Sequence, residues 1–223
     1  HRSAVPDAFK DRVSLEAHQK AADYTIEKGT LGTIDSIISI VVLLALTIGG
    51  GINASFEFWA AQVTSPLWAG ILGLATVFLV MMIIDLPTSW YQTFVIEEKY
   101  GFNKSSVAQF VKDHLLQLGL SAAIGLPILA LILWVMDSVG SLWWLWAWAI
   151  IMGFSLLMSW LFPTVIAPLF NKFTPMQEGS LKDRIQGLLA RCGFNSQGIF
   201  IMDGSKRSGH GNAYFTGLGN NKR

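Results

Sequence analysis

The feature that most constrains this chain is the absence of charge from two long apolar runs. Residues 58–84 and 138–171 contain no Asp, Glu, Lys or Arg. Only 14% of the 223 residues are charged and 52% are hydrophobic, against about 25% charged in ordinary soluble domains. Such runs fit an integral membrane protein with a polar extramembrane part. A helix rises about 1.5 Å per residue, so about 20 apolar residues cross a hydrocarbon core about 30 Å thick. The sequence accordingly predicts four transmembrane helices, at residues 31–52, 66–86, 115–136 and 141–162. Pro66 suits a first helical turn. Pro127 lies inside the third span, where a kink is expected. Trp143, Trp144, Trp146 and Trp148 crowd the start of the fourth, the placement expected of an aromatic belt at the membrane surface.

The basic residues set the topology. Five precede the first span, Lys99, Lys104 and Lys112 lie between the second and third, and eight follow the fourth. The other two connections hold none, so all sixteen basic residues fall on one side, which the positive-inside rule assigns to the cytoplasm. The domain reading is a cytosolic juxtamembrane helical segment over 1–30, a transmembrane domain over 31–170 with a cytosolic loop at 87–114, and a further cytosolic domain from 171 to 223. Ser14 is expected to cap a helix with Glu16 in its first turn, and Ser105 or Ser106 a helix running into the third span. Gly101 with Phe102 and Asn103 reads as a turn. A net charge of +1 gives no reason to propose nucleic acid as a partner, and the lone Cys192 excludes an internal disulfide.

Asp35 and Asp85 are the acids closest to the hydrocarbon boundary. They read either as acids solvated at span ends or as ion or proton ligands of a small transporter or channel subunit. After the fourth span, Ser180-Leu181-Lys182-Asp183 resembles a capping box. Leu181, Ile185, Leu188, Leu189 and Cys192 recur at helical spacing, with Gly193 closing the helix and Cys192 expected as a core thiol. Ile199-Phe200-Ile201-Met202 reads as a buried strand. These elements begin a small α+β domain.

The most informative stretch is the last, 203–223. Asn212-Ala213-Tyr214-Phe215-Thr216 is strand-like, and Gly219-Asn220-Asn221 is hairpin-turn chemistry. The returning strand is expected beyond Arg223, so the chain reads as a fragment. Segment 212–216 reads either as an ordinary hairpin strand or as an exposed edge whose backbone pairs with an extended peptide. None of the histidines, His1, His18, His114 and His210, stands at metal-ligand spacing with another.

Asp203-Gly204-Ser205-Lys206-Arg207-Ser208, followed by His210, Asn212-Ala213-Tyr214-Phe215, Gly217 and Lys222-Arg223, resembles a signature of the integral-membrane CAAX prenyl proteases, the zinc metalloendopeptidase type. Three further stretches match in the same order. They are His18-Gln19-Lys20-Ala21-Ala22-Asp23-Tyr24, then Glu97-Glu98-Lys99-Tyr100-Gly101-Phe102-Asn103-Lys104, then Phe170-Asn171-Lys172-Phe173-Thr174-Pro175. The alanine-rich first motif is most similar to the bacterial branch.

The resemblance implies a mainly α, polytopic helical membrane protein, its helices part of a larger barrel over a cytosol-facing zinc site, followed by the beginning of an α+β protease domain. It implies zinc held by a HExxH pair and a later Glu, all expected downstream of Arg223. The family's opening transmembrane helix is likewise expected before His1. The implied activity is cleavage near a prenylated or otherwise hydrophobic C-terminal cysteine, and the chain by itself is expected to be inactive. His210, Asn212, Ala213 and Tyr214 are the implied substrate-binding residues; catalytic and metal-ligating residues are expected elsewhere. The membrane is the bacterial inner membrane, or the endoplasmic reticulum in a eukaryote. A non-catalytic peptide-docking scaffold is the remaining alternative to protease and transporter.

Overall fold

The computed structural model describes residues 3–194, 196, 198–211 and 213–215. The chain divides into two compact units, His1–Ser105 and Ser106–Arg223.

In the first unit, helix α1 (Leu15–Leu46) starts where the Ser14 hydroxyl accepts the Ala17 N–H at 3.1 Å. It is a single helix through both the expected juxtamembrane segment and the first span. It stops before residue 52 because the chain turns at Gly50, whose φ of 77° favours glycine. Helix α2 (Gly51–Ala60) then packs back on α3 (Pro66–Tyr91). Gly73 makes this close approach possible, since a Cβ there would lie 3.3 Å from the Phe56 Cα. The Ser55 hydroxyl donates to the Gly73 carbonyl at 3.0 Å, and the Trp59 indole N–H donates to the Thr76 hydroxyl at 2.9 Å. Ala69, Ile71 and Val77 are buried along α3.

The stretch expected as a loop at 87–114 is mostly helix. Helix α3 continues through a π-helical turn, Gln92–Glu97, into α4 (Glu98–Tyr100), and ends at Gly101 with φ 82°. Pro87 does not stop it. The π turn is stabilised by what its side chains reach rather than by local propensity: Ile96 is fully buried, and Glu97 accepts the Tyr24 hydroxyl of α1 at 2.6 Å.

In the second unit, α5 (Val107–Ser138) begins at Ser106, whose hydroxyl accepts the Gln109 N–H at 3.2 Å, and runs unbroken through Pro127. Helix α6 (Trp143–Leu161) packs on α5 and passes through a second π turn, Phe162–Ile166, into α7 (Ala167–Phe170). The four tryptophans at the start of α6 are exposed. Strand β1 (Phe173–Pro175) pairs antiparallel with β2 (Phe200–Met202), Thr174 opposite Ile201. The amphipathic helix α8 (Ser180–Arg191) lies between them in sequence. Its N-cap is Gly179 rather than Ser180, and no side chain caps it. Gly193, φ 64°, closes it. Cys192 is exposed, as are Leu181 and Leu188 on the same apolar face, so the thiol is not a core residue among the described residues.

Among the described residues four helical stretches are long and apolar enough to cross a membrane: Leu15–Leu46, Pro66–Tyr100, Val107–Ser138 and Gly140–Phe170. Ile37, Val41, Leu44, Phe78, Trp134 and Leu156 are among the large side chains they leave exposed, which suits a hydrocarbon solvent and not water.

Candidate functional site

The carboxyl-terminal segment is fastened to the rest of its unit by backbone and side-chain hydrogen bonds. Asp203 and Lys172 join backbone to backbone, the Asp203 N–H donating to the Lys172 carbonyl at 3.1 Å. The Lys172 N–H in turn donates to the Asp203 carboxylate at 2.7 Å. One turn on, Arg207 Nε donates to Asp113 Oδ2 at 2.6 Å and Nη2 to Asp113 Oδ1 at 2.9 Å. The third guanidinium nitrogen, Nη1, donates to Asn171 Oδ1 at 2.9 Å. The bidentate pair is the geometry the planar guanidinium fork prefers. Asp113 sits in the second turn of α5, and Gln109 one turn earlier donates to its Oδ1 at 2.7 Å. The hydrogen bonds from Arg207 to Asp113 raise the guanidinium above its ordinary value. The Lys206 ammonium, then the Lys172 N–H, hold the Asp203 carboxyl below the usual carboxylate range.

Past this clamp the segment is exposed. The His210 N–H donates to the Ser208 hydroxyl at 3.2 Å, and His210, Ala213 and Tyr214 are all exposed. The Tyr214 hydroxyl donates to the Met202 sulfur of β2 at 3.7 Å, and the Phe215 ring meets Phe194 edge-on at 5.2 Å. The strand expected at 212–216 does not form at residues 213–215. These residues are not part of the β1–β2 sheet. Asn212 and the turn at 219–221 lie outside the described residues. A cavity of ≈ 550 Å³ lies against Phe170, Asn171, Phe173 and Phe200, but His210, Ala213 and Tyr214 do not line it. Sequence reasoning missed Asp113, Asn171 and Arg207 as a group, because Asp113 and Arg207 meet across 94 residues.

The first unit carries its own polar seam. The Tyr24 hydroxyl and Lys28 both reach Glu97, the latter at 3.6 Å. Lys99 and the Tyr100 hydroxyl both reach Glu27. Tyr24 stacks edge-on against Tyr100, with Phe102 also at 5.1 Å. Asp35 and Asp85 come together through Thr88, whose hydroxyl lies 3.0 Å from Asp35 Oδ1 and 2.9 Å from the Asp85 carbonyl. The Asp85 carboxylate lies farther off, its Oδ1 3.5 Å from the same hydroxyl.

Among the described residues no three His, Cys, Asp or Glu side chains are grouped to hold a metal. The described residues therefore do not by themselves fit the zinc that the family resemblance implies.

Four apolar helical spans followed by a small two-stranded sheet define a polytopic α-helical membrane protein. A family model described as "CAAX prenyl protease N-terminal, five membrane helices" matches residues 1–172. The CAAX prenyl protease 1 of Saccharomyces cerevisiae is 46% identical over 96% of this chain and 49% of its own length. Its homologue in Caenorhabditis elegans is 34% identical over 100% of this chain and 50% of its own length. The human homologue is 33% identical over 98% of this chain and 48% of its own length. The crystal structure of S. mikatae Ste24p superposes with a TM-score of 0.85 at 34% identity, covering 98% of this chain and 53% of that one. The chain belongs to the CAAX prenyl protease family. It spans about half the length of the curated relatives it matches. Those relatives are all eukaryotic, and the bacterial branch is not represented among them. Family membership favours the protease reading over a transporter built on Asp35 and Asp85, or a scaffold.

Proposed function

We propose that this chain supplies the membrane-embedded part, and the beginning of the peptidase domain, of an endopeptidase that cleaves peptides ending in a hydrophobic or prenylated CAAX-type sequence. The observation that carries the reading is the match of nearly the whole chain to relatives named CAAX prenyl protease 1. The chain's own contribution to catalysis is the peptide-docking edge. Residues 210, 211 and 213–215 are exposed, and the backbone of an exposed segment is a place where an extended peptide can pair. The backbone from His210 through Asn212, Ala213 and Tyr214 aligns that peptide, and the Asn212 side chain helps position it. Zinc is the family's metal, and its ligands belong to residues outside those described. The boundary between membrane and peptidase domains falls near residue 170, after the last span. The distribution of basic residues supports a cytosolic peptidase side, at the endoplasmic reticulum membrane in a eukaryote or the inner membrane in a bacterium.

The test uses the full-length protein in lipid nanodiscs with a farnesylated peptide and its unprenylated counterpart, reading the released C-terminal tripeptide. Turnover of the farnesylated peptide is expected. Asn212→Ala should slow it while the zinc content stays unchanged; loss of metal in that variant would show that Asn212 belongs to the metal site. Protease mapping on sealed vesicles that placed Tyr214 on the exoplasmic face would overturn the topology.

A further inference from the structure

Two cavities of similar size border the β1–β2 sheet, and their chemistry differs. Residues directly opposite one another on paired strands share a face, and alternate residues of a strand do too. The register therefore puts Phe173, Phe200 and Met202 on one face, and Thr174 with Ile201 on the other. The cavity reached by Thr174 and Ile201, ≈ 540 Å³, takes Gln177, Glu178, Ser180 and Lys182 into its lining. The cavity reached by Phe173 and Phe200, ≈ 550 Å³, is lined otherwise by Pro168, Leu169 and Phe170. Its polar lining is Asn171 and Lys172. Arg207 holds the Asn171 side chain, and Asp203 holds the Lys172 backbone at both its N–H and its carbonyl. The four residues close a ring of contacts around the turn at Gly204–Lys206.

We propose that the apolar cavity receives the isoprenoid chain of a prenylated peptide and is a specificity site for that substrate. The inference rests on the proposed function and deepens it by giving the substrate's lipid a place. An isoprenoid is a branched hydrocarbon without hydrogen-bonding groups, so it is recognised by apolar and aromatic walls. The volume of ≈ 550 Å³ falls in the range of about 300–1,000 Å³ usual for small-molecule sites. Two placements favour this occupant. Pro168, Leu169 and Phe170 end the helical stretch Gly140–Phe170, so the cavity lies where a membrane span finishes. On the topology proposed above that is the cytosolic surface of the bilayer, which a lipid-anchored peptide already occupies. The docking segment lies beside the same face: the Tyr214 hydroxyl reaches Met202, which stands opposite Phe173. A peptide paired with that segment thus finds an apolar receptacle for its lipid on the side of the sheet where it is bound.

The experiment uses the full-length protein in lipid nanodiscs and one peptide whose cysteine carries either farnesyl or a single isoprene unit. Leu169→Trp fills the cavity, and Ile201→Trp makes the same kind of change on the other face. These two side chains are 51% and 52% exposed, so neither substitution disturbs a core position. Each methylene kept out of an apolar site costs about fourfold in affinity. Leu169→Trp is expected to raise KM for the farnesylated peptide about tenfold or more. Its kcat should not change, the signature of binding lost equally in ground and transition states. KM for the single-isoprene peptide should move little, so discrimination between the two falls. Ile201→Trp should discriminate as wild type does. Wild-type discrimination in Leu169→Trp would overturn the proposal.

A farnesyl analogue with a diazirine on its terminal isoprene gives a second reading that needs no variant. Crosslinks to residues 168–173 or to Phe200 in the wild-type protein are expected. Label found only on nanodisc phospholipid or elsewhere in the protein would overturn the site. If the wild-type protein cleaves neither peptide, the protease reading falls and this site falls with it. If it cleaves both while the label lies elsewhere, the protease stands and the cavity is not its isoprenoid site.

Discussion

In the first unit Glu97 and Glu27 tie α1 to the end of the α3–α4 stretch; in the second, Asp113 ties α5 to a glycine-rich segment. The donors are alike: a tyrosine and lysines in one, an arginine in the other. What is tied differs. α1 and α3 are long helices with other contacts between them, and the Tyr24 ring is packed on Tyr100 and Phe102 besides its hydrogen bond. The terminal segment, by contrast, has no place in the sheet at residues 213–215 and exposes most of its side chains. A polar contact laid over existing packing adds a little stability. The same contact on an exposed segment outside the sheet, held otherwise by Tyr214 and Phe215, has more to do with where that segment lies.

The comparison is broken most directly by Arg207→Ala. Arg207 is only partly exposed, at 26% of its side chain, and its charged hydrogen bonds are worth about 1.5–3 kcal/mol. Removing them should release the segment locally. Limited proteolysis between residues 203 and 215 is expected to accelerate about tenfold or more, since each 1.4 kcal/mol of local stability is tenfold in the open population. The melting of the helical part should not change. Unaltered proteolysis would mean that Tyr214 and Phe215 suffice to hold the segment.

Next in size is Gly73→Val, which asks where the first unit gets its stability. A side chain there must displace the Phe56 backbone from 3.3 Å, and overpacking of this kind costs about 1–3 kcal/mol. The α2–α3 pair should lose stability by that amount in detergent unfolding, with the Ser55 and Trp59 contacts weakened. A neutral outcome would show that α2 can slide along α3 freely.

These two sites also mark what the sequence could and could not reveal. The spans were legible because hydropathy and length are properties of contiguous residues, and the helix starts at Ser14, Pro66 and Ser106 because capping is local. The two π turns, Gln92–Glu97 and Phe162–Ile166, were not legible, because an extra residue in a turn is retained by what its side chains touch elsewhere. Strand β1 escaped notice for a related reason. Three residues ending in Pro175 carry no strand period, and they become a strand only opposite Phe200–Met202. The docking segment was legible as motif residues, but the clamp that places it was not. No short-range pattern links Asp113 in an apolar helix with Arg207 in a polar loop.

Tyr24→Phe probes the seam in the first unit with little change of shape. It deletes the 2.6 Å bond to Glu97 while keeping the rings against Tyr100 and Phe102. Glu97 retains Lys28. The expected cost is about 1 kcal/mol in unfolding of the first unit, with proteolysis of the terminal segment unchanged. A cost several times larger would place the seam among the elements that hold the unit together, and erase the contrast with the clamp.

The smallest effect is a pH dependence read at Asp203, with Asp113, likewise depressed by its hydrogen bonds from Arg207, titrating on the same acid side. The Asp203 carboxyl is held below the usual range first by Lys206 at 2.7 Å, then by the Lys172 N–H, with Arg207 adding to the positive surroundings. A depressed carboxyl contributes stability that is fully present above its unfolded value, about 3.9, and is lost as pH falls through the lower folded value. Neutral and mildly acidic solutions should therefore leave the segment alike, and loosening should begin only below about pH 4. Arg207 stays charged throughout this window, so the cation side of the clamp does not titrate with it. Hydrogen exchange at the Lys172 amide reads the contact directly, after correction for the intrinsic pH dependence of exchange. Protection should be flat from pH 7 to pH 5 and fall toward pH 3, and Asp203→Asn should show a smaller fall, the remainder coming from Asp113. Protection that already falls between pH 7 and pH 5 would assign the effect to a group other than this carboxylate. It would also remove Asp203 from the ring of contacts on which the placement of Arg207 depends.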